Sequence, residues 1–222
     1  MMYNIIFNLL LLLQISTSIV YDNKVSRKFF LNGLSFSGIT ALNFNNPVNT
    51  NTQKYKFVSN ERILYLYGDI DNESCNTLVS ELESLSDDTD NPIHLRIQSY
   101  GGEIIPTLNV IDTITRIKNP VYTYVDGYAA SAATLISVSG NYRCMGKHSL
   151  FLMHKLYGSS EGNYDSLRDE FDNDKLLMNF MEDIYLENSN LNKLELDNIL
   201  NHPNKWMNSS NCLKYDLIDE IL

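Results

Sequence analysis

Two residues of this chain have types and surroundings suited to shared chemistry, Ser131 and His154. The serine lies in Gly127-Tyr128-Ala129-Ala130-Ser131-Ala132-Ala133, where small neighbours leave room for a substrate backbone beside its hydroxyl. An apolar, β-branched run, Val121 to Val125, reads as a buried strand ahead of it. Ala132-Ala133-Thr134-Leu135-Ile136 reads as a buried helix after it, with Gly127 to Ala130 as the turn between. A serine there has its hydroxyl at a helix N-terminus. Downstream, a short strand at Arg143 to Met145 precedes a second, Leu150 to Met153, which delivers the imidazole of His154. A serine hydroxyl becomes a nucleophile when such a base takes its proton. The alternative for each residue is ordinary polar contact, the serine as a helix cap and the histidine at a strand end.

A third element adds to the pair. Ile93 to Ile97 is a strand leading into Gln98-Ser99-Tyr100-Gly101-Gly102, and a helix follows from Glu103 to Ile117. Paired glycines at such a turn can present backbone N–H groups to a neighbouring site, as an oxyanion hole requires. Arg62 to Gly68 is a further strand, and Asp71 or Asn72 caps a helix from Glu73 to Ser86 with Leu78, Leu82 and Leu85 on one face. Repeated strand–helix units with parallel strands predict an α/β domain. A long helix from Tyr164 to Glu187 carries Leu167, Phe171, Leu176, Phe180 and Ile184 as a stripe.

Taken in order, these blocks and the terminal Trp206-Met207 with Tyr215-Asp216-Leu217-Ile218-Asp219 resemble the proteolytic subunit of the ATP-dependent Clp protease, over Arg62 to Leu222. The resemblance implies a crotonase-like spiral of β-β-α units, with the long helix as a handle between two stacked rings. It implies Ser131 as nucleophile, His154 as general base, and the backbone N–H groups of Gly102 and Ala132 as oxyanion donors. The third member of the triad falls two residues before the aromatic Trp206, on Asn204, where the family has an aspartate; neither His202 nor Lys205 beside it is an acid. An asparagine carbonyl can orient the histidine but offers an imidazolium only a dipole. In a serine protease built around aspartate, that exchange costs about 10⁴ in turnover.

The resemblance also implies a double heptameric ring, of this chain alone or mixed with others, fed unfolded polypeptide by an AAA+ unfoldase. That partner would use the ATP. The chain has no Gly-rich Lys-Ser/Thr nucleotide loop of its own, and the family needs no metal or other cofactor in this subunit. A ring subunit that builds walls and cleaves little is the competing reading. An acyl-CoA enzyme of crotonase type would use a carboxylate where this chain has Ser131 and His154. A Ser-Lys peptidase, with Lys147 or Lys155 as base, would leave His154 without a task.

Composition sets the outer bounds. At 222 residues and 44% apolar, the chain suits one domain with a real core. A net charge of −10 argues against a nucleic-acid face. Three widely spaced cysteines, Cys75, Cys144 and Cys212, give neither a metal spacing nor a disulfide framework. Charge is uneven: residues 1–54 hold four Lys and Arg against one acid, Asp22. Ile5 to Ile15 is too short to span a bilayer but suits a signal-peptide core, placing a signal-type leader at 1–18. Residues 19–54 have transit-like composition, and 55–222 form the protease domain. A bipartite leader of this kind predicts delivery to a secondary plastid, with no membrane attachment after processing; the cytoplasm or another organelle is the alternative.

Overall fold

The computed structural model describes residues Arg62 to Leu222, Asp88 excepted. The expected leaders, 1–18 and 19–54, lie outside the described residues, as does the start of the domain at 55. Seven described strands form one sheet, five of them in the order β1 (Ile63–Tyr67), β2 (Ile93–Ser99), β3 (Val121–Ala130), β4 (Tyr142–Met145), β7 (Glu220–Ile221). The other two lie off this path: β5 (Leu150–Leu152) pairs with β3, and β6 (Met207–Asn208) pairs with β5. Among the described residues, only the β5–β6 pair is antiparallel. Six helices are described: α1 (Asn72–Leu85), α2 (Ile104–Arg116), α3 (Ala132–Val138), α4 (Tyr164–Glu187), α5 (Lys193–Leu200) and α6 (Ser209–Lys214). This is the expected α/β architecture.

Local chemistry explains the boundaries. Asp71 accepts from the Ser74 N–H while the Ser74 hydroxyl accepts from the Asp71 N–H, a reciprocal cap that starts α1. Strands β1 and β2 alternate strictly, turning Leu64, Leu66, Ile93, Leu95 and Ile97 into the core and the residues between them outward. Helix α3 is buried on every side, which fits its Ala-Ala-Thr-Leu-Ile-Ser-Val sequence.

Two sequence expectations change. The stretch Gly127 to Ala130 is strand, not turn. Strand β3 pairs with β4 through Val125, then kinks at Gly127, where φ is +82°, and pairs with β5 from Tyr128 to Ala130. The ladder to β2 shifts register over the same residues. A glycine tolerates that conformation without strain, so one strand serves two partners in succession. The stripe on α4 also differs. Leu167, Phe171, Leu176 and Phe180 are exposed, and the residues that α4 buries are Met181 and Tyr185, near its C-terminal end. The N-terminal part of this helix, through Leu176, stands clear of the core.

The terminal Leu-Ile-Asp has a mechanical role. Arg143 donates its backbone N–H (2.8 Å) and Nε (2.9 Å) to Asp219 Oδ2, and Nη2 to Oδ1 (2.7 Å); the Asp219 N–H returns to the Arg143 carbonyl (2.7 Å). Arg143 Nη1 also reaches the carbonyl of Asn188 at the end of α4. The Arg143–Asp219 pair therefore ties the chain terminus, β4 and the end of α4 together, and the hydrogen bonds from Arg143 hold the Asp219 pKa below the usual carboxylate range.

Candidate active site

Ser131 sits where β3 ends and α3 begins, with φ +55° and ψ −127°. A side chain rarely takes such a backbone, at a cost of about 1–3 kcal/mol, and strand-to-helix turns that project a nucleophile are a recurrent place for it. The hydroxyl does not cap its own helix. The backbone is over-determined instead: the Ser131 N–H donates to the Leu152 carbonyl (2.9 Å), and the Ser131 carbonyl accepts from the Thr134 N–H (2.9 Å) and from Thr134 Oγ1 (2.5 Å). Thr134 has spent its proton there, so the fully buried Tyr185 hydroxyl donates to Thr134 Oγ1 (2.6 Å). Helix α4 thus supports the turn beneath the serine. Sequence periodicity carried no sign of this contact.

His154 arrives from the neighbouring ladder. Ala130 is paired with Leu152 in parallel register, so Ser131 and His154 follow the same ends of adjacent strands. The imidazole is half-buried, and Nδ1 lies 2.6 Å from the carbonyl oxygen of Lys155. A carbonyl only accepts, so Nδ1 carries a hydrogen, and in the neutral ring Nε2 then holds the lone pair a general base needs.

The glycine loop packs against the serine. A Cβ on Gly101 would lie 2.8 Å from the Ser131 Cβ and 2.6 Å from the Ala130 carbonyl, and φ there is +94°. Gly102 is tighter still: a Cβ would come within 1.9 Å of the Ile70 carbonyl oxygen. Ile70 bridges this loop by donating to the Gly101 carbonyl (3.0 Å) and accepting from the Glu103 N–H (2.8 Å). The Gly102 N–H is left out of that bridge. Ala132 opens α3, where an N–H has no intrahelical acceptor. Both backbone groups expected to serve as oxyanion donors are therefore outside the surrounding ladders.

Asn204 is placed differently from its neighbours in the expected set. It is exposed and occupies the third position of a turn, His202-Pro203-Asn204-Lys205, closed by the Lys205 N–H on the His202 carbonyl (3.0 Å). Proline suits the second position of such a turn and asparagine the third. Among the described residues Asn204 makes no hydrogen bond, to His154 or otherwise. Ser131, His154, Gly102 and Ala132 lie on elements brought together by the sheet; the antiparallel register of β5 and β6, continued past Phe151–Met207, carries the Asn204 turn toward the His154 end of β5, without a hydrogen bond between the two.

An aromatic cluster was not legible beforehand. The Tyr100 ring lies 4.3 Å from Tyr128 and 6.4 Å, edge-on, from Trp206. These rings link the glycine loop, the serine's strand and the segment leading into β6. Burial pushes the thiols of Cys75 and Cys144 up to about 11 and that of Cys212 to about 12, so none is poised as a nucleophile. Among the described residues no three His, Cys, Asp or Glu side chains are grouped to hold a metal ion.

The sequence model of the Clp protease family matches residues 47–222. The chain belongs to the Clp protease family. Named relatives agree. The ATP-dependent Clp protease proteolytic subunit of Streptococcus thermophilus is 30% identical over 175 residues, covering 76% of this chain and 88% of that protein. Those of Streptococcus pneumoniae and Streptococcus salivarius match over the same lengths at 30% and 29%. Membership gives the α/β sheet its family type and makes a serine peptidase the expected chemistry of the Ser131 region.

Proposed function

We propose that the chain is a serine endopeptidase subunit of an ATP-dependent Clp protease, cutting unfolded polypeptide with reduced turnover. The observation that carries this is the Ser131 backbone: a positive-φ residue pinned by Leu152, Thr134 and the glycine loop, at the end of a strand paired with the one leading to His154. In this reading His154 Nε2 takes the Ser131 proton as Oγ bonds to the scissile carbonyl carbon. The Gly102 and Ala132 N–H groups would receive the oxyanion. The same proton then goes to the leaving amine as the C–N bond breaks; a water, giving its proton to His154, bonds to the acyl carbon, and the C–Oγ bond breaks as the histidine returns that proton to Oγ. The histidine's partner is a carbonyl dipole rather than a carboxylate, so the imidazolium formed in each step is less stabilised.

Assembly follows from the family: rings, of this chain alone or mixed, with an AAA+ unfoldase that uses ATP. A wall-building subunit of a mixed ring is the second reading, favoured by the exposure of Asn204. A fluorophosphonate probe and a short fluorogenic peptide separate them. Slow labelling and cleavage, both abolished in Ser131→Ala, support the peptidase. An assembled ring that neither labels nor cleaves, beside an active relative as control, supports the wall. Secondary-plastid delivery rests on leader composition, and a fluorescent fusion to residues 1–54 tests it.

A further inference from the structure

We infer that Asn201 is a positioning residue for His154, acting through Lys155, whose main-chain carbonyl takes the orienting task that a carboxylate has elsewhere. The inference rests on the peptidase reading of Ser131 and His154 and names what holds the base in place.

Three links make the chain. His154 Nδ1 is 2.6 Å from the Lys155 carbonyl oxygen. The Lys155 ammonium donates to Asn201 Oδ1 at 2.7 Å, across 46 residues of sequence. Asn201 is itself fixed as the C-terminal cap of α5, its N–H donating to the Asp197 carbonyl (3.0 Å), while Leu196 and Leu200 anchor that helix in the core. A contact between a histidine ring and the very next carbonyl survives only if the intervening peptide is held in one rotation. Lys155 is exposed, and among the described residues its side chain has no hydrogen-bond partner other than Asn201. A cation at the C-terminal end of a helix is also favoured by the helix dipole. The same peptide unit is also held by the Leu156 N–H on Met178 Sδ (3.1 Å); removing the amide takes away the second of its two holds and loosens the carbonyl that fixes the Nδ1–H tautomer.

A carbonyl fixes tautomer and ring orientation as a carboxylate would, without a full charge for the imidazolium. The lysine's positive charge is at the same time drawn toward Asn201 and α5. This arrangement accounts for an intact Ser–His pair beside an Asn204 that hydrogen-bonds to neither.

The test compares the full chain with Asn201→Leu, Asn201→Asp and Ser131→Ala. Activity is read as kcat and KM on a fluorogenic peptide, and folding as melting temperature. Asn201→Leu is expected to lower kcat about tenfold with KM within about twofold, since misorientation of a catalytic group acts on turnover. Asn201→Asp, which still accepts from Lys155, is expected to keep wild-type kcat. A wild-type kcat in Asn201→Leu, or equal losses in both variants at unchanged melting temperature, overturns the inference. The tautomer gives a readout free of turnover. In chain labelled with ¹⁵N-histidine and assigned through His154→Gln, His154 is expected as the Nδ1–H form in the wild type and as a mixture in Asn201→Leu. Any other form in the wild type overturns the inference. Cleavage that persists in Ser131→Ala, with the tautomer behaving as expected, defeats the peptidase reading and leaves the positioning link standing.

Discussion

The two sides of the candidate site are built in opposite ways. The nucleophile side is steric: Gly101, Gly102, Ile70, Ala130 and Ser131 approach so closely that no Cβ fits at either glycine, and α3 above them is wholly buried. The histidine's outer side is polar and exposed: Lys155, Asn201 and the turn at Asn204 meet solvent. Close-packed backbone leaves few alternatives, whereas a surface turn accepts many sequences that close the same hydrogen bond. A neutral residue at position 204 is therefore compatible with the rest of the site staying in place, while a larger side chain at Gly101 or Gly102 would not be.

The largest expected effect tests the rigid side. Gly102→Ala places a methyl where the Ile70 carbonyl already is, so the loop must move and carry its N–H with it. Turnover is expected to fall about 10²–10³-fold, the range for loss of one oxyanion donor. A folded Gly102→Ala variant with wild-type kcat would remove Gly102 from that role.

The remaining framework can be loosened by smaller steps. Asp219→Asn weakens the clamp between β4, the chain end and Asn188. About 1–2 kcal/mol of stability is expected to go, after allowance for the partial exposure of the pair. The sign with pH follows from a folded pKa held below the unfolded value. The contribution is present above the unfolded carboxylate pKa near ~4 and is lost as pH falls through the lower folded value. Melting temperatures of wild type and Asp219→Asn should therefore differ at pH 7 and converge in acid; a gap that persists in acid refutes the clamp. Tyr185→Phe removes a buried hydroxyl that Thr134 accepts from, at a cost of about 1 kcal/mol, or about 2–4 °C. Because Thr134 keeps its own bond to Ser131, kcat should change much less than stability. A large loss of kcat at unchanged melting temperature would show that α4 tunes the serine directly.

The same contrast explains what could be read from the sequence. Gly101-Gly102, the small residues around Ser131 and the strand ending at His154 were legible because packing restricts residue type there. Periodicity located the long helix but not its buried side. Its apolar stripe stays exposed from Leu167 to Phe180 and meets the core only at Ile184, and Met181 and Tyr185, which face the core, break no pattern. The kink of β3 at Gly127 read as a turn because glycine signals a turn locally, while strand pairing with β5 is a distant contact. Helix α5 went unread although Asn192 and Glu195 form a capping box ahead of it. The Lys155–Asn201 link had no local signature at all.

The smallest expected effect falls on the residue that the family pattern singles out. If position 204 were the triad slot in working geometry, Asn204→Asp would set a carboxylate beside His154 Nδ1 and raise turnover by up to about 10³–10⁴-fold, the reverse of the known loss. In this fold the side chain is exposed at the third position of a closed turn, and Nδ1 is already engaged by Lys155. Aspartate suits that turn as well as asparagine does, so nothing drives the loop to rearrange. A gain below about threefold is expected, with the acid limb of the rate profile nearly unmoved, because a solvated anion that is not hydrogen-bonded to the imidazole is screened. A gain of 10² or more, with the acid limb shifted upward, would mean that the turn opens and the carboxylate reaches Nδ1. The histidine would then exchange its carbonyl partner for the acid, and Asn201→Leu made in the Asn204→Asp background would no longer lower kcat.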